Sequence, residues 1–167
     1  MQKTIFIDRD GVINRRLVGD WVKCWEEFEM LEGVPRALAL LKKRNYRLVL
    51  ITNQRALALK LFTAEQLAHV HHLMNQQLLE RGGAAFDAIY VCPHDRHDNC
   101  DCRKPKPGMF FQAAADFPDI ELEKCSMIGD SDSDGEAAMA AGCAKFYKVD
   151  EQNSLLDCVK VFLKEQK

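Results

Sequence analysis

Five short apolar runs interrupt an otherwise mixed sequence, and each ends in charged or turn-forming residues. An apolar run of this length, bounded in this way, is typical of a buried strand. The pattern predicts strands at residues 4–7, 46–52, 86–92, 124–129 and 144–149.

Helical patterns separate these runs. Pro35 stands early in a helix predicted over 33–45, and a Thr63–Gln66 capping-box pattern opens another that stops before Gly82. The remaining helices are predicted at 108–117, at 134–142 and after residue 149, while loops are expected at 10–32 and 93–107. The regular alternation of strands and helices predicts an α/β three-layer, Rossmann-like fold with a mostly parallel five-stranded sheet.

The bulk composition favours one globular domain over residues 1–167. The chain is 47% hydrophobic and 29% charged, with a formal net charge of −2. No basic face favours nucleic acid, and no apolar run approaches the ~20 residues needed to span a bilayer. The N-terminal residues also lack the apolar core of a signal peptide. We therefore expect a cytoplasmic protein without nucleic-acid or membrane partners.

Polar side chains follow several of the predicted strands, which is where parallel sheets bind ligands. Asp8 and Asp10 follow the first strand, the triplet 52–54 (Thr-Asn-Gln) follows the second, and Asp130 follows the fourth. Carboxylates two residues apart at a strand end favour a divalent cation, or a nucleophile with an acid–base partner. Each signal taken alone is also compatible with a solvated polar turn.

The stretch IGDSDSDG at 128–135 resembles the first half of an EF-hand calcium loop. The twelfth position counted from Asp130 is Ala141 instead of the required Glu. The preceding KCSMI also predicts a strand, whereas an EF-hand loop follows a helix. The pattern therefore excludes an EF-hand.

Four metal-binding residue types cluster between positions 92 and 102. Cys92, His94, Cys100 and Cys102 form a C-x-H-x5-C-x-C pattern that suits tetrahedral zinc. Four protein ligands leave no open coordination position, so we interpret the loop as a structural zinc site; the alternative is a loop with free cysteines. The histidines at 69, 71 and 72 lack the i, i+4 spacing of a helical zinc site and are assigned to the helix surface or to packing.

The joint order of these motifs resembles the haloacid dehalogenase-like (HAD) superfamily of phosphotransferases over nearly the whole chain. More narrowly, the chain is similar to the D-glycero-D-manno-heptose 1,7-bisphosphate phosphatases and the related histidinol-phosphate phosphatases. The matching segments are FIDRDGVIN, LITNQ, LFTAEQL, CPH, CDCRKPKPGM and MIGDSDSDGEAA. This resemblance places the histidine ligand of the zinc loop at His94 and not at His97.

The resemblance implies hydrolysis through an aspartyl-phosphate, with Asp8 as the nucleophile and Asp10 as the acid–base group. It implies Mg²⁺ held by Asp8, Asp130 and the backbone carbonyl of Asp10. The resemblance also implies that Thr52 and Lys104 hold the phosphoryl oxygens. It implies that substrate is bound by Asn53, Gln54 and Arg103, and that Asp134 orients a water molecule near the metal. Asp132 is expected to be a solvated loop residue.

The expected function is Mg²⁺-dependent hydrolysis of a small phosphorylated sugar. The preferred substrate is the heptose 1,7-bisphosphate, from which the 7-phosphate is removed. The protein is expected to be a monomer without a large cap domain. Histidinol phosphate or another small phosphomonoester is the alternative substrate, and a zinc-stapled binding module is the non-enzymatic alternative. Two segments depart from the heptose bisphosphatase pattern. RALALK at 55–60 replaces a glycine-rich stretch, and Ser131 replaces a lysine.

Overall fold

The computed structural model describes residues 2–166, and five strands in this range form one sheet. The strands are β1 (Lys3–Ile7), β2 (Tyr46–Asn53), β3 (Ala88–Cys92), β4 (Ser126–Gly129) and β5 (Lys145–Lys148). They lie in the order β3-β2-β1-β4-β5, and all four pairings are parallel. The predicted strands are confirmed to within two residues at each end.

Helices cover both faces of the sheet, as expected for three layers. They are α1 (Val34–Lys43), α2 (Arg55–Ala58), α3 (Ala64–Glu80), α4 (Gly108–Asp116), α5 (Asp132–Ala140) and α6 (Leu155–Glu165). Buried apolar residues of α1, α3 and α6 form one core cluster, while those of α4 and α5 form another on the opposite face. Leu67 of α3 belongs to a third, smaller cluster.

The alternation of side chains along β1 explains the two cores. Ile5 and Ile7 point into the cluster with α1, α3 and α6, whereas Phe6 points into the cluster with α4 and α5. All three side chains are fully buried. A central parallel strand buried on both faces has a continuous apolar sequence, which is the signal that predicted it.

The structure adds three local features to the sequence-based prediction. The short helix α2 was not predicted, since four residues are too few to display a helical period. The segment 10–32 contains isolated bridges, Asp10–Asn14 and Asn14–Met30, and one turn of 3₁₀ helix at Trp25–Glu27. Helix α5 begins at Asp132 instead of at residue 134, and Ser131 is its N-cap residue. The backbone N–H and the hydroxyl of Ser131 both donate to Asp134 Oδ2 in the first turn of the helix.

The strand order determines where a site can form. The chain runs outward from β1 to β3 on one side and then returns to place β4 on the other side of β1. The exits of β1 and β4 therefore lie at the switch point of the sheet, where open α/β folds bind their ligands. Within residues 2–166, none of the helices combines the length and apolar character needed to cross a bilayer.

Candidate active site

A buried lysine joins the exits of β1 and β4. Lys104 Nζ lies 2.7 Å from Asp8 Oδ1 and 2.6 Å from Asp134 Oδ1, and it donates to the backbone oxygen of Ile51 at 3.0 Å. Burial alone would lower the pKa of Lys104, but the two carboxylates raise it above its ordinary value. The ammonium group is therefore charged, and it binds both carboxylates at once.

Three carboxylates crowd together at this point. One oxygen from each of Asp8, Asp130 and Asp134 lies within 4.8 Å of the other two. Burial raises the pKa of Asp8 to about 7 against the attraction of Lys104, and burial also raises the pKa of Asp130. The charged forms of these carboxylates are therefore disfavoured in the absence of a further cation, and their donor set is the one that hard divalent cations prefer.

Gly11 allows the chain to pass close to this cluster. Its φ of +86° is in the left-handed region that favours glycine. A Cβ atom at this position would lie only 2.1 Å from Asp130 Oδ2. The glycine of the Asp-x-Asp-Gly motif is therefore required both by the turn and by the close approach of Asp130.

The Asp10 carboxylate is held apart by a separate set of donors. Arg9 Nη2 lies 2.9 and 3.1 Å from its two oxygens, Asn14 Nδ2 donates to Oδ1 at 3.0 Å, and Gln54 Nε2 donates to Oδ2 at 2.9 Å. Burial would raise the pKa of Asp10, but Arg9 and the two amides hold it below its ordinary value. The structure thus fixes Asp10 as an ionised carboxylate beside the cluster.

Arg9 and His71 form a buried pair that sequence reasoning missed. Arg9 is fully buried, and its Nη1 lies 3.1 Å from His71 Nε2. Burial and the neighbouring guanidinium lower the pKa of His71 to about 3. Because an arginine can only donate, Nε2 accepts and the imidazole is neutral with its proton on Nδ1.

A signal for this pair is present in the sequence. His71 continues the apolar stripe of α3, whose buried members are Leu67, Val70, Met74 and Leu78. A histidine on such a stripe faces the core, which agrees with the packing alternative for His71, while its partner Arg9 was not predicted.

The Thr-Asn-Gln triplet at the end of β2 supports the site from one side. The Asn53 amide both donates to the Lys104 carbonyl at 3.0 Å and accepts from the Lys104 N–H at 3.1 Å. Gln54 is only 1% exposed, and its Nε2 also donates to Thr52 Oγ1 at 2.9 Å. Asn53 thus fixes the Lys104 backbone. The side chain of Gln54 faces the protein interior and not the cavity, whereas the sequence-based expectation was that Gln54 binds substrate.

The structure brings all four predicted zinc-loop residues together. The potential ligand atoms of Cys92, His94, Cys100 and Cys102 lie within 4.8 Å of one another. The sulfurs of Cys92 and Cys100 are 3.7 Å apart, close to the ~3.7 Å spacing of two thiolates on a tetrahedral zinc. His94 Nδ1 is 3.2 Å from the Cys102 sulfur, so the histidine faces the group through Nδ1. The arrangement can hold a tetrahedral metal ion.

A cavity of about 830 Å³ opens above the carboxylates. Six aspartates and six basic side chains line it, and two of the aspartates, Asp20 and Asp95, are paired with Lys23 and Arg55 on the walls. The basic side chains are Arg16, Arg55, Arg96, Arg103, Lys104 and Lys106. Asp132 lies outside this lining, where its exposed carboxylate pairs with Lys148 Nζ at 2.6 Å. The cavity therefore combines a carboxylate floor with basic walls, a combination that suits a metal-bound anionic ligand.

The comparisons with known proteins agree with this geometry. Residues 4–142 match the haloacid dehalogenase-like hydrolase family. The chain is 40% identical over 148 residues to D-glycero-alpha-D-manno-heptose-1,7-bisphosphate 7-phosphatase of Mycobacterium tuberculosis, covering 86% of this chain and 77% of that protein. It is 41% identical over 145 residues to D-glycero-beta-D-manno-heptose-1,7-bisphosphate 7-phosphatase of Vibrio cholerae, covering 83% of this chain and 76% of that protein.

The fold is also similar to solved structures. D,D-heptose 1,7-bisphosphate phosphatase from B. bronchiseptica, complexed with magnesium and phosphate, superposes with a TM-score of 0.89 at 35% identity. The match covers 98% of this chain and 99% of that one.

The variant His71→Gln is expected to lose less folding stability than wild type when the pH falls from 7 to 5. The unfolded chain takes up a proton on His71 below its ordinary pKa of 6.5, while the folded protein does so only near 3. Folding is thus penalised as pH falls through this window, by about 2 kcal/mol between pH 7 and pH 5. Urea unfolding at the two pH values measures the difference for wild type and variant.

His72→Gln is the matched control, because His72 is the exposed neighbour of His71 on the same helix. This control should retain the wild-type pH dependence. An identical pH dependence in His71→Gln would contradict the assignment of a buried neutral imidazole.

Proposed function

The chain belongs to the haloacid dehalogenase-like hydrolase family, and from this premise we propose that it is a Mg²⁺-dependent sugar-phosphate phosphatase. The observation that carries the proposal is the carboxylate cluster around Lys104 at the floor of a cavity with basic walls. The proposed substrate is D-glycero-D-manno-heptose 1,7-bisphosphate, with the 7-phosphate removed. The relatives at 40–41% identity, which carry this activity in their names, support that choice.

Magnesium would be held by the carboxylates of Asp8 and Asp130 and by the backbone carbonyl of Asp10. The crowding of Asp8, Asp130 and Asp134 within 4.8 Å supports this assignment. When bound, the cation offsets the repulsion between the carboxylates and the phosphoryl group. Asp134 holds Lys104 in place beside these carboxylates. Its Oδ1 contacts Lys104 and its Oδ2 accepts from Ser131, so both oxygens are fixed.

Asp8 is the proposed nucleophile. Lys104 holds Asp8 Oδ1 at 2.7 Å and keeps the carboxylate in one orientation at the cavity floor. An oxygen of Asp8 attacks phosphorus as the bond from phosphorus to the sugar oxygen breaks. Asp10, ionised in the free protein, takes up a proton from solvent when the anionic ester binds beside it, and it gives that proton to the leaving oxygen.

Asp10 reverses its role in the second step. Its carboxylate takes a proton from the water that attacks the aspartyl-phosphate, which releases phosphate and restores Asp8. The donors from Arg9, Asn14 and Gln54 stabilise Asp10 in this ionised form. We therefore propose that Gln54 positions Asp10 and Thr52 instead of contacting substrate.

The remaining site residues bind the phosphoryl group and the sugar. Thr52 and Lys104 stand at the cavity floor beside Asp8, where they can hold oxygens of the transferring group. Asn53 lines the cavity and also fixes the Lys104 backbone. Arg103 lines the wall and is proposed to contact a second anionic or hydroxyl group of the substrate.

A structural zinc ion is proposed in the loop 92–102. Lys104 lies two residues beyond Cys102, so an ordered loop also fixes the entry of Lys104 into the site. Zinc-type cysteines suit a reducing compartment, which supports a cytoplasmic location. We further propose that the protein works as a single-domain monomer over residues 1–167.

The first test is phosphate release in the presence of Mg²⁺. Wild-type protein should hydrolyse one anomer or both of the heptose 1,7-bisphosphate to the 1-phosphate, with weaker activity on histidinol phosphate. Asp8→Asn should lower kcat at least about a thousandfold, because the amide cannot act as the nucleophile. Activity that survives Asp8→Asn, or no release from any ester in the panel, would remove the proposed mechanism.

The second test separates two neighbouring aspartates. Asp130→Ala removes a proposed metal ligand and should nearly abolish turnover. Asp132→Ala removes an exposed carboxylate paired with Lys148, so kcat should change less than about twofold. Steady-state kinetics across a Mg²⁺ series measures both variants, and equal losses would refute the ranking.

The third test concerns zinc. Protein purified without chelator should contain one zinc per chain, and Cys102→Ser should lower both zinc content and kcat because Lys104 follows two residues later. Cys24→Ser is the control, since Cys24 is exposed and lies outside the cluster. Absence of zinc, with all seven thiols titrating freely, would contradict the site.

A further inference from the structure

Asp130 has an unusual basic partner. Arg16 Nη1 lies 3.1 Å from Asp130 Oδ2, and this contact is made through one nitrogen only. The Arg16 side chain is 61% exposed, while that of Asp130 is 15% exposed. The pair thus joins a largely enclosed carboxylate to a guanidinium that reaches it from the solvent side.

The other carboxylates of the site have buried partners. Lys104, whose side chain is 3% exposed, binds Asp8 and Asp134, and the fully buried Arg9 binds Asp10. Such contacts are fixed by the surrounding core. Among the described residues, Arg16 is the one cation that forms an ion pair with Asp130.

The backbone is anchored immediately before Arg16. The anchor is a backbone contact, in which Arg15 N–H donates to the Glu29 carbonyl at 2.8 Å. The exposed side-chain pair of Arg15 with Glu29 adds little to it. Beyond this anchor, residues 16, 17 and 19–22 line one wall of the cavity. Arg16 is therefore held at the base of that wall, with a long exposed side chain that lines the cavity.

Other basic residues of the cavity are bound to the zinc loop. Arg103 donates to the His94 carbonyl, Arg55 pairs with Asp95, and Lys106 donates to the Cys100 carbonyl. None of these partners belongs to the carboxylate cluster. Arg16 differs, because its partner is the carboxylate proposed to hold the divalent cation.

The two interactions of Asp130 oppose each other. A divalent cation bound to Asp130 repels the guanidinium of Arg16 and takes the negative charge that attracts it. A partly exposed, single-contact ion pair is weak, so the cation can displace it. The displaced guanidinium stays on the cavity wall, where its planar donor fork matches a phosphate group.

We propose that Arg16 is a substrate-binding residue that becomes available when the divalent cation takes Asp130. Its ligand is a phosphate or similar anionic group of the substrate, remote from the phosphoryl group that reacts at Asp8. The cavity of about 830 Å³ has room for such a second group. This inference rests on the proposed phosphatase function.

The proposal predicts opposite effects of Arg16→Ala on the two ligands. Mg²⁺ should bind Arg16→Ala about 2–5-fold more tightly than wild type, because the competing ion pair is gone. A MgCl₂ titration at constant ionic strength, followed by the rise in the thermal midpoint, measures this affinity without turnover. The KM for a sugar bisphosphate should rise about tenfold in the same variant, with kcat within about twofold.

Three comparisons isolate the effect. Arg15→Ala removes an adjacent arginine that is also 61% exposed but pairs with Glu29, so Mg²⁺ affinity and KM should both stay at wild-type values. The same sugar carrying only the hydrolysed phosphate should show less than about a twofold change in KM with Arg16→Ala. Arg16→Lys, which keeps the charge, should recover part of the bisphosphate affinity.

Several outcomes would overturn the inference. Unchanged or weaker Mg²⁺ binding by Arg16→Ala would refute the competition for Asp130. In an active wild-type enzyme, an unchanged KM for the bisphosphate, or an equal rise for both esters, would refute the contact with a second anionic group. A wild-type protein that hydrolyses no phosphate ester would instead overturn the proposed function, and the substrate half of this inference with it.

Discussion

The rest of the site depends on one buried cation, the ammonium group of Lys104. It binds carboxylates from two different strand exits, Asp8 after β1 and Asp134 in the first turn of α5. Charges this deeply buried are stable only as a complete set, and removing one partner from such a set typically costs about 3–5 kcal/mol. The exits of β1 and β4 and the segment after the zinc loop are therefore constrained to meet at one point.

The neighbours of Lys104 are arranged to maintain this meeting point. Asn53 fixes the lysine backbone through two hydrogen bonds, and Ser131 orients Asp134 through its N–H and hydroxyl. The loop that leads to Lys104 starts at the end of β3, where the Cys92 carbonyl accepts from the Gln54 N–H at 2.8 Å. Ser131, a departure from the heptose bisphosphatase pattern, thus has a defined structural task here.

Sequence patterns predicted those parts of the protein that depend on local periodicity or on close spacing. Five apolar runs were sufficient for the sheet, and the positions of Asp8, Asp130 and the four Cys/His residues followed from strand ends and ligand spacing. The partners of buried polar groups were not predictable in this way. The sequence assigned no role to Arg9, and yet Arg9 is fully buried between Asp10 and His71, which are one and 62 residues away in the chain.

The role of Gln54 shows the same limit. A polar residue at a strand end was expected to face substrate, whereas the structure directs its amide toward Asp10 and Thr52. Orientation of such a side chain depends on which neighbours offer unpaired acceptors, and the sequence does not reveal them. The short helix α2, which begins at Arg55 directly after Gln54, was also too short to be predicted.

The central claim is that the cluster organised by Lys104 makes Asp8 a phosphoryl acceptor and Asp10 its acid–base partner. The most direct measurement is acid-quenched single turnover of an activated aryl phosphate ester, followed by mass spectrometry of the peptide that contains Asp8. An activated leaving group needs no proton, so Asp10→Asn should still form the aspartyl-phosphate. Because this variant should hydrolyse the intermediate slowly, the phosphoryl group should accumulate on Asp8. Two results would contradict the account. One is rapid turnover by the wild type with no phosphoryl group on Asp8 in either protein, and the other is a phosphoryl group on a different residue.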